Sequence, residues 1–154
     1  MNYSKIHKIC KEYGITYYTI NSDGSIDVDG DVDLDEMELT KLPIKFNHVS
    51  DNFYCYYNEL TTLEGCPKSV GGDFYCNWNE LTTLEGAPKS VGGNFNCGYN
   101  KLTTLLGSPQ SVGGDFIYRG NPIYDQLGDI DYKSYIKQLN RDKILNELLN
   151  RRDT

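Results

Sequence analysis

No stretch of the 154-residue chain approaches the roughly 18 apolar residues that span a bilayer, so a membrane-spanning helix is not expected. The first residues, MNYSKIHKICKEYG, are charged and lack the apolar run of a secretory signal, which places the protein in a cytoplasm. Five cysteines are an odd number and none stands in a CxxC pair, which argues against a disulfide framework. The only histidines, His7 and His48, are distant, so a zinc site converging on one point is not in prospect. Neither is visibly paired with a Ser or Cys nucleophile. A GxxxxGK(S/T) phosphate loop is missing, as is the basic stripe that nucleic acid requires. These shortages point to a protein that is not an enzyme, holds no metal or cofactor, and has no nucleic-acid partner.

What is present is strongly local. The formal charge is −7, yet residues 23–38 hold eight Asp or Glu and no Lys or Arg, leaving the remainder near +1. Within this patch, SIDVDGDVDLDE (residues 25–36) fills the ligand, turn and packing places of a calcium-binding EF-hand loop, except that Ser25 stands first. The competing reading is an acidic edge of a larger repeat, with Val and Leu alternating inward.

NELTTLEGCPKSVGG begins at Asn58, NELTTLEGAPKSVGG at Asn79 and NKLTTLLGSPQSVGG at Asn100, an offset of 21 residues each time. Self-similarity at this period is the mark of a solenoid. One column reads Val49, Val70, Val91 and Val112, and another Phe53, Phe74, Phe95 and Phe116. Cys55, Cys76 and Cys97 are continued by Tyr118, and Asn58, Asn79 and Asn100 by Asn121. One period earlier, Val49 falls on Val28, Phe53 on Val32 and Cys55 on Leu34, so the acidic stretch is in register as a first rung. That register, and a hairpin signal where an EF-hand wants a helix, favour the repeat over calcium.

Phe and Cys two apart share one face of a short strand. The Asn column can satisfy backbone groups inside the turn that follows. Gly-Gly pairs at 71–72, 92–93 and 113–114 lead into the next strand, where glycine tolerates positive φ and close stacking. The unit F-x-C-x-x-N-x-L-x-x-L resembles a short leucine-rich repeat. LTTLEGCPKSVGGDFYCNWN and the lead-in YTINSDGSIDVDGDVDL look like a family of small leucine-rich-repeat-like proteins of tailed bacteriophages, over residues 17–123. That resemblance implies a β-rich solenoid of leucine-rich-repeat type and binding directed at a host protein. The first rung departs from it, with LPIKFNHVSDN in place of LEGxPKSVGG.

About five rungs are expected over residues 28–123, with caps at both ends because a bare terminal rung exposes core and strand edge. Residues 1–27 read as a helix (Ile6, Ile9 and Tyr13) and a hairpin around NSDG. Residues 124–154 read as one or two helices. Tyr132, Tyr135, Ile136 and Leu139 form one apolar face, and Ile144, Leu145, Leu148 and Leu149 a second, both expected to cover the last rung. A projecting helix that joins two copies is the alternative, so the chain is a monomer or homodimer.

Residues between the inward ones point out from the sheet. They place Tyr54, Tyr56, Tyr57, Tyr75, Trp78 and Tyr99 on one surface beside Asp33, Asp35 and Glu36, with Arg119 at the far end. Aromatics supply large contact area at low entropic cost and dominate interface hot spots; they also simply favour strands. The acids would favour a partner with a basic region. A non-enzymatic protein-binding module is expected, acting in a phage setting on a host defence or regulatory protein. The alternative is stacking of a small ligand such as a nucleotide on the rings. A virion component ranks behind both. The Cys column could hold a soft metal or a disulfide, but its inward position favours small apolar core residues.

Overall fold

Each 21-residue repeat closes one turn with two very short strands set on either side of the Gly-Gly corner. The computed structural model describes residues 2–151. After α1 (Tyr3–Glu12), β1 (Tyr18–Ile20) and β2 (Ile26–Val28) form an antiparallel hairpin around NSDG. The strands β3 (Val32–Asp33), β4 (Phe46–Val49), β5 (Phe53–Tyr54), β6 (Ser69–Val70), β7 (Phe74–Tyr75), β8 (Ser90–Val91), β9 (Phe95–Asn96), β10 (Ser111–Val112) and β11 (Phe116–Ile117) follow. They assort into two sheets, β1-β2-β4-β6-β8-β10 and β3-β5-β7-β9-β11. All pairings after the hairpin are parallel, and from β4 onward the register steps by one repeat, as in Phe53–Phe74–Phe95–Phe116 and Val49–Val70–Val91–Val112.

The result is a β-solenoid of about four turns, bounded by five parallel strands in each sheet. The acidic stretch builds β2 and β3 of the first turn, with β1 before it and β4 after it where an EF-hand would have helices. Sequence reading anticipated the Phe ladder. The second ladder, through the Ser-Val pairs just before the Gly-Gly corners, lies where no strand was expected.

The core lies between the sheets. Val28, Val49, Val70, Val91 and Val112 face it from one side, and Phe53, Phe74 and Phe95 with Cys55, Cys76 and Cys97 from the other; all are buried. The phenylalanine rings stack along the solenoid axis, with centroids 5.5, 5.3 and 5.2 Å apart and interplanar angles of 8° or less. Buried asparagines close the turns. Asn79 Nδ2 donates to the Cys76 carbonyl of its own rung (3.2 Å) and the Cys55 carbonyl of the previous one (2.9 Å), and its Oδ1 accepts from Leu60 N–H (2.8 Å). Asn100 repeats this one turn on. One side chain per turn thus pairs backbone groups that water cannot reach.

The Gly-Gly pairs are required for proximity rather than for positive φ, which they do not adopt. A Cβ on Gly92 would lie 2.1 Å from the Gly71 carbonyl oxygen, and one on Gly113 2.0 Å from that of Gly92. Positive φ falls instead on the glycines of the LEG motif, LLG in the third repeat: Gly65, Gly86 and Gly107, at 85° to 90°.

At the C-terminal end, α2 (Pro122–Leu127) leads to a single long helix, α3 (Tyr132–Asn150). Tyr132 stacks on Phe116 at 3.9 Å and 8°, extending the inner column by one ring, and Tyr135 also packs against the core. The second apolar face does not cover the rung. Ile144, Leu145, Leu148 and Leu149 are each at least half exposed, because the five-residue step from Leu139 to Ile144 turns them by about 140° at 3.6 residues per turn. No helix among the described residues is long and apolar enough to cross a membrane.

Candidate functional site

On the outer side of β3-β5-β7-β9-β11 each rung offers three positions: the strand residue after Phe, the residue after Cys, and the residue before Asn. The third has an uncommon backbone. Glu36, Tyr57, Trp78 and Tyr99 have φ of 52°, 48°, 56° and 52°, and Gly120 has 75°. Left-handed backbone is unfavourable for a bulky residue, by about 1–2 kcal/mol. It is sustained by ladder bonds on both sides of the turn: Tyr57 N–H donates to the Asn77 carbonyl (3.1 Å), Trp78 N–H to Gly98 (3.0 Å) and Tyr99 N–H to Arg119 (2.8 Å).

This conformation swings the rings out of the sheet plane and onto one another. Tyr57 and Trp78 stack at 5.5 Å and 13°, and Trp78 and Tyr99 at 4.2 Å and 5°. All three are about half exposed. Tyr54, Tyr56 and Tyr75 are half-buried on the sheet proper. Tyr75 contacts Tyr54 (5.5 Å), Tyr54 contacts Tyr56 (6.2 Å), and Tyr56 contacts Tyr57 (5.7 Å). The six aromatic residues expected on one surface therefore form one unbroken chain of ring contacts.

Two shallow grooves flank the chain. One, of about 440 Å³, lies among Tyr54, Tyr56, Tyr57, Tyr75, Asn77 and Asn96. The other, of about 420 Å³, runs beside the stacked rings and is walled by Glu80 and Lys101, which are ion-paired. Lys101 was not anticipated. It follows Asn in its repeat, and only the groove reveals that this column borders the rings.

The acids lie at the first-turn end. Tyr56 hydrogen-bonds Asp35, which pushes the phenol up to about 12. The Asp33 carboxyl is raised, first by its hydrogen bond with Asp35 and then by burial, while Asp35 is lowered by the same contact. Glu36 is exposed and continues the column of stacked rings. Arg119 stands apart from the rings. Its guanidinium meets the Asp129 carboxylate at 3.3 Å and lies 5.8 Å from the Tyr124 ring centroid, in a separate groove at the opposite end.

The Cys column belongs to the core. Cys55, Cys76 and Cys97 are wholly buried and unbridged, and burial pushes their thiols up, so they stay protonated. Among the described residues no three His, Cys, Asp or Glu side chains are grouped to hold a metal ion.

Compared with protein-family models, curated proteins and solved structures, the chain finds no match.

Proposed function

We propose that the chain is a non-enzymatic protein-binding module that grips its partner with the aromatic face. One observation carries this reading. Tyr57, Trp78 and Tyr99 keep bulky rings in a backbone conformation that favours glycine, at a column where Gly120 stands without a ring. Strain of this kind clusters at sites of function. The rings then lie together, half exposed, beside carboxylates that attract a basic partner surface.

The fold type that goes with this reading is the leucine-rich-repeat type, with residues 1–27 and 124–154 as caps of a solenoid at 28–123, of which Met1 and residues 152–154 lie outside the described residues. The resemblance to phage proteins supplies the setting: a host cytoplasm and a host defence or regulatory protein as the target. Stacking of a nucleotide is less well supported. A base needs an open ring face, and both faces of Trp78 are already covered, by Tyr57 and Tyr99.

The test is capture from host lysate with the wild type and with Tyr56→Ala/Trp78→Ala, followed by calorimetry with the purified captured protein. Loss of two hot-spot rings should weaken the complex by about 100-fold or more. Unchanged affinity in the double mutant would overturn the reading, as would tight binding by any member of a nucleotide panel.

A further inference from the structure

The ladder through the Phe strands has a polarity that its last rung leaves incomplete. Each rung donates three N–H groups to the next. Phe53, Cys55 and Tyr57 donate to the carbonyls of Asp73, Tyr75 and Asn77, at 2.8, 2.9 and 3.1 Å. Phe74, Cys76 and Trp78 donate to Asn94, Asn96 and Gly98, and Phe95, Cys97 and Tyr99 to Asp115, Ile117 and Arg119. The equivalent donors of the fifth rung are the N–H groups of Phe116, Tyr118 and Gly120. They find no acceptor among the described residues.

A groove of about 610 Å³ lies against this edge. β11 forms its floor, and the segment from Asp129 to Lys133 forms a wall. Tyr132, stacked on Phe116, fills the place that the core ring of a sixth rung would take. The C-terminal segment therefore covers the core of the last rung and leaves its backbone edge open.

We propose that this edge is a second docking site, which takes an extended segment of a partner protein as an added parallel strand, carrying an aliphatic side chain beside Ile117 and an acidic one beside Arg119. The inference is independent of the aromatic face. An added strand offers carbonyls at alternate residues, the spacing at which the three donors stand. Its outward side chains align with the outward column of β11, as Asn96 aligns with Ile117 in the β9–β11 pair. Ile117 is exposed and wants an apolar neighbour. Arg119 wants an anion, and its only carboxylate contact among the described residues is the exposed Asp129 at 3.3 Å, loose enough to share or exchange. The occupant is a lone strand rather than a second copy, because a whole first turn would bring its own core residues, Val32 and Leu34, onto the place that Tyr132 holds.

The test uses 15N-labelled full-length protein and the capped peptide Gly-Asp-Ala-Val-Ala-Glu-Gly. Its second, fourth and sixth carbonyls are in register with Phe116, Tyr118 and Gly120. The expected result is saturable amide shifts at those three residues, with at least threefold slower hydrogen exchange. N-methylation of the peptide valine, whose N–H faces β11, abolishes the effect. N-methylation of the alanine that follows it, whose N–H faces away, does not. Arg119→Glu weakens binding by about threefold to fivefold, and a peptide with Lys in place of Glu restores it. Absence of shifts at β11, or equal effects of the two methylations, would overturn the proposal. Concentration-dependent shifts at β11 without peptide would also overturn it, in favour of a second copy as occupant.

Discussion

Phe74 and Trp78 lie four residues apart on one rung and end in opposite stacks. Phe74 is fully buried between Phe53 and Phe95, while Trp78 stacks in the open between Tyr57 and Tyr99. The inner stack follows from ordinary strand geometry, and the outer one from left-handed backbone.

The two stacks should answer differently to truncation. Phe74→Ala opens a cavity in the core and should cost about 3–5 kcal/mol in urea unfolding. Trp78→Gly gives up two stacks of about 0.5–1.5 kcal/mol each, but regains about 1–2 kcal/mol of backbone strain. Its stability should stay within about 2 kcal/mol of wild type. A loss at Trp78 as large as at Phe74 would show that the outer rings hold the fold together.

Asn79→Ala orphans the buried Leu60 N–H and takes one of two donors from each of the Cys55 and Cys76 carbonyls, which keep Asn58 and Asn100. One buried orphan costs about 1–3 kcal/mol, so a loss in that range is expected in the same measurement. Asn77→Ala, two residues earlier and pointing outward, should cost little, since its Oδ1 has no partner to lose.

Gly92→Ala and Gly128→Ala separate crowding from conformation. The first drives a methyl to 2.1 Å from a backbone oxygen and should cost about 3 kcal/mol or more. The second meets nothing within 4 Å and carries only the strain of φ 64° and ψ −150°, a region kept to glycine, about 1–3 kcal/mol. Thermal unfolding of the pair decides whether rung spacing or turn geometry is the tighter constraint.

How much of this was legible depends on the residue. Val49, Phe53, Cys55 and Asn58 recur every 21 positions, and each inner column was readable from that recurrence alone. The Ser-Val strands were not, because two residues show no alternation. Nothing in Tyr57 or Trp78 announces positive φ, since neither residue type favours it; Gly120, one column-mate without a ring, was the sole hint. Arg119 shared the outward column but not the surface, because its charge is drawn to Asp129 on the segment before α3. The apolar residues of α3 were visible, yet both sets were assigned to one rung although their spacing turns them to different sides of the helix.

The Tyr56–Asp35 contact gives a pH signature. The Tyr56 phenol is held near 12 in the folded chain, against an ordinary 10.0. A raised acid favours the protonated folded form, so the contact's contribution is complete below pH 10 and lost as pH rises towards 12. Burial also raises Tyr18, Tyr54, Tyr118 and Tyr132, so tyrosinate absorbance should show several late-titrating tyrosines, of which one moves to lower pH in Asp35→Asn. An unchanged midpoint would remove Asp35 as the cause.

Leu145→Glu/Leu148→Glu should leave the unfolding midpoint within error of wild type, since both side chains are more than half exposed. Tyr132→Ala should lower it, through loss of the stack on Phe116 and of the hydrogen bond to the Pro109 carbonyl. Circular dichroism melts of the two variants separate the part of α3 that seals the solenoid from the part that does not.

The repeats beginning at Asn58 and Asn79 differ over fifteen residues only at Cys66 and Ala87. Near-identical tracts recombine, and every crossover between them adds or deletes one whole turn in frame. Because each turn touches only its neighbours, such an event would lengthen or shorten the molecule without disturbing the rest, inserting or removing one ring of the outer stack together with its share of the core. The reach of this surface can therefore be changed by copying a cassette, with no new side chain having to be invented.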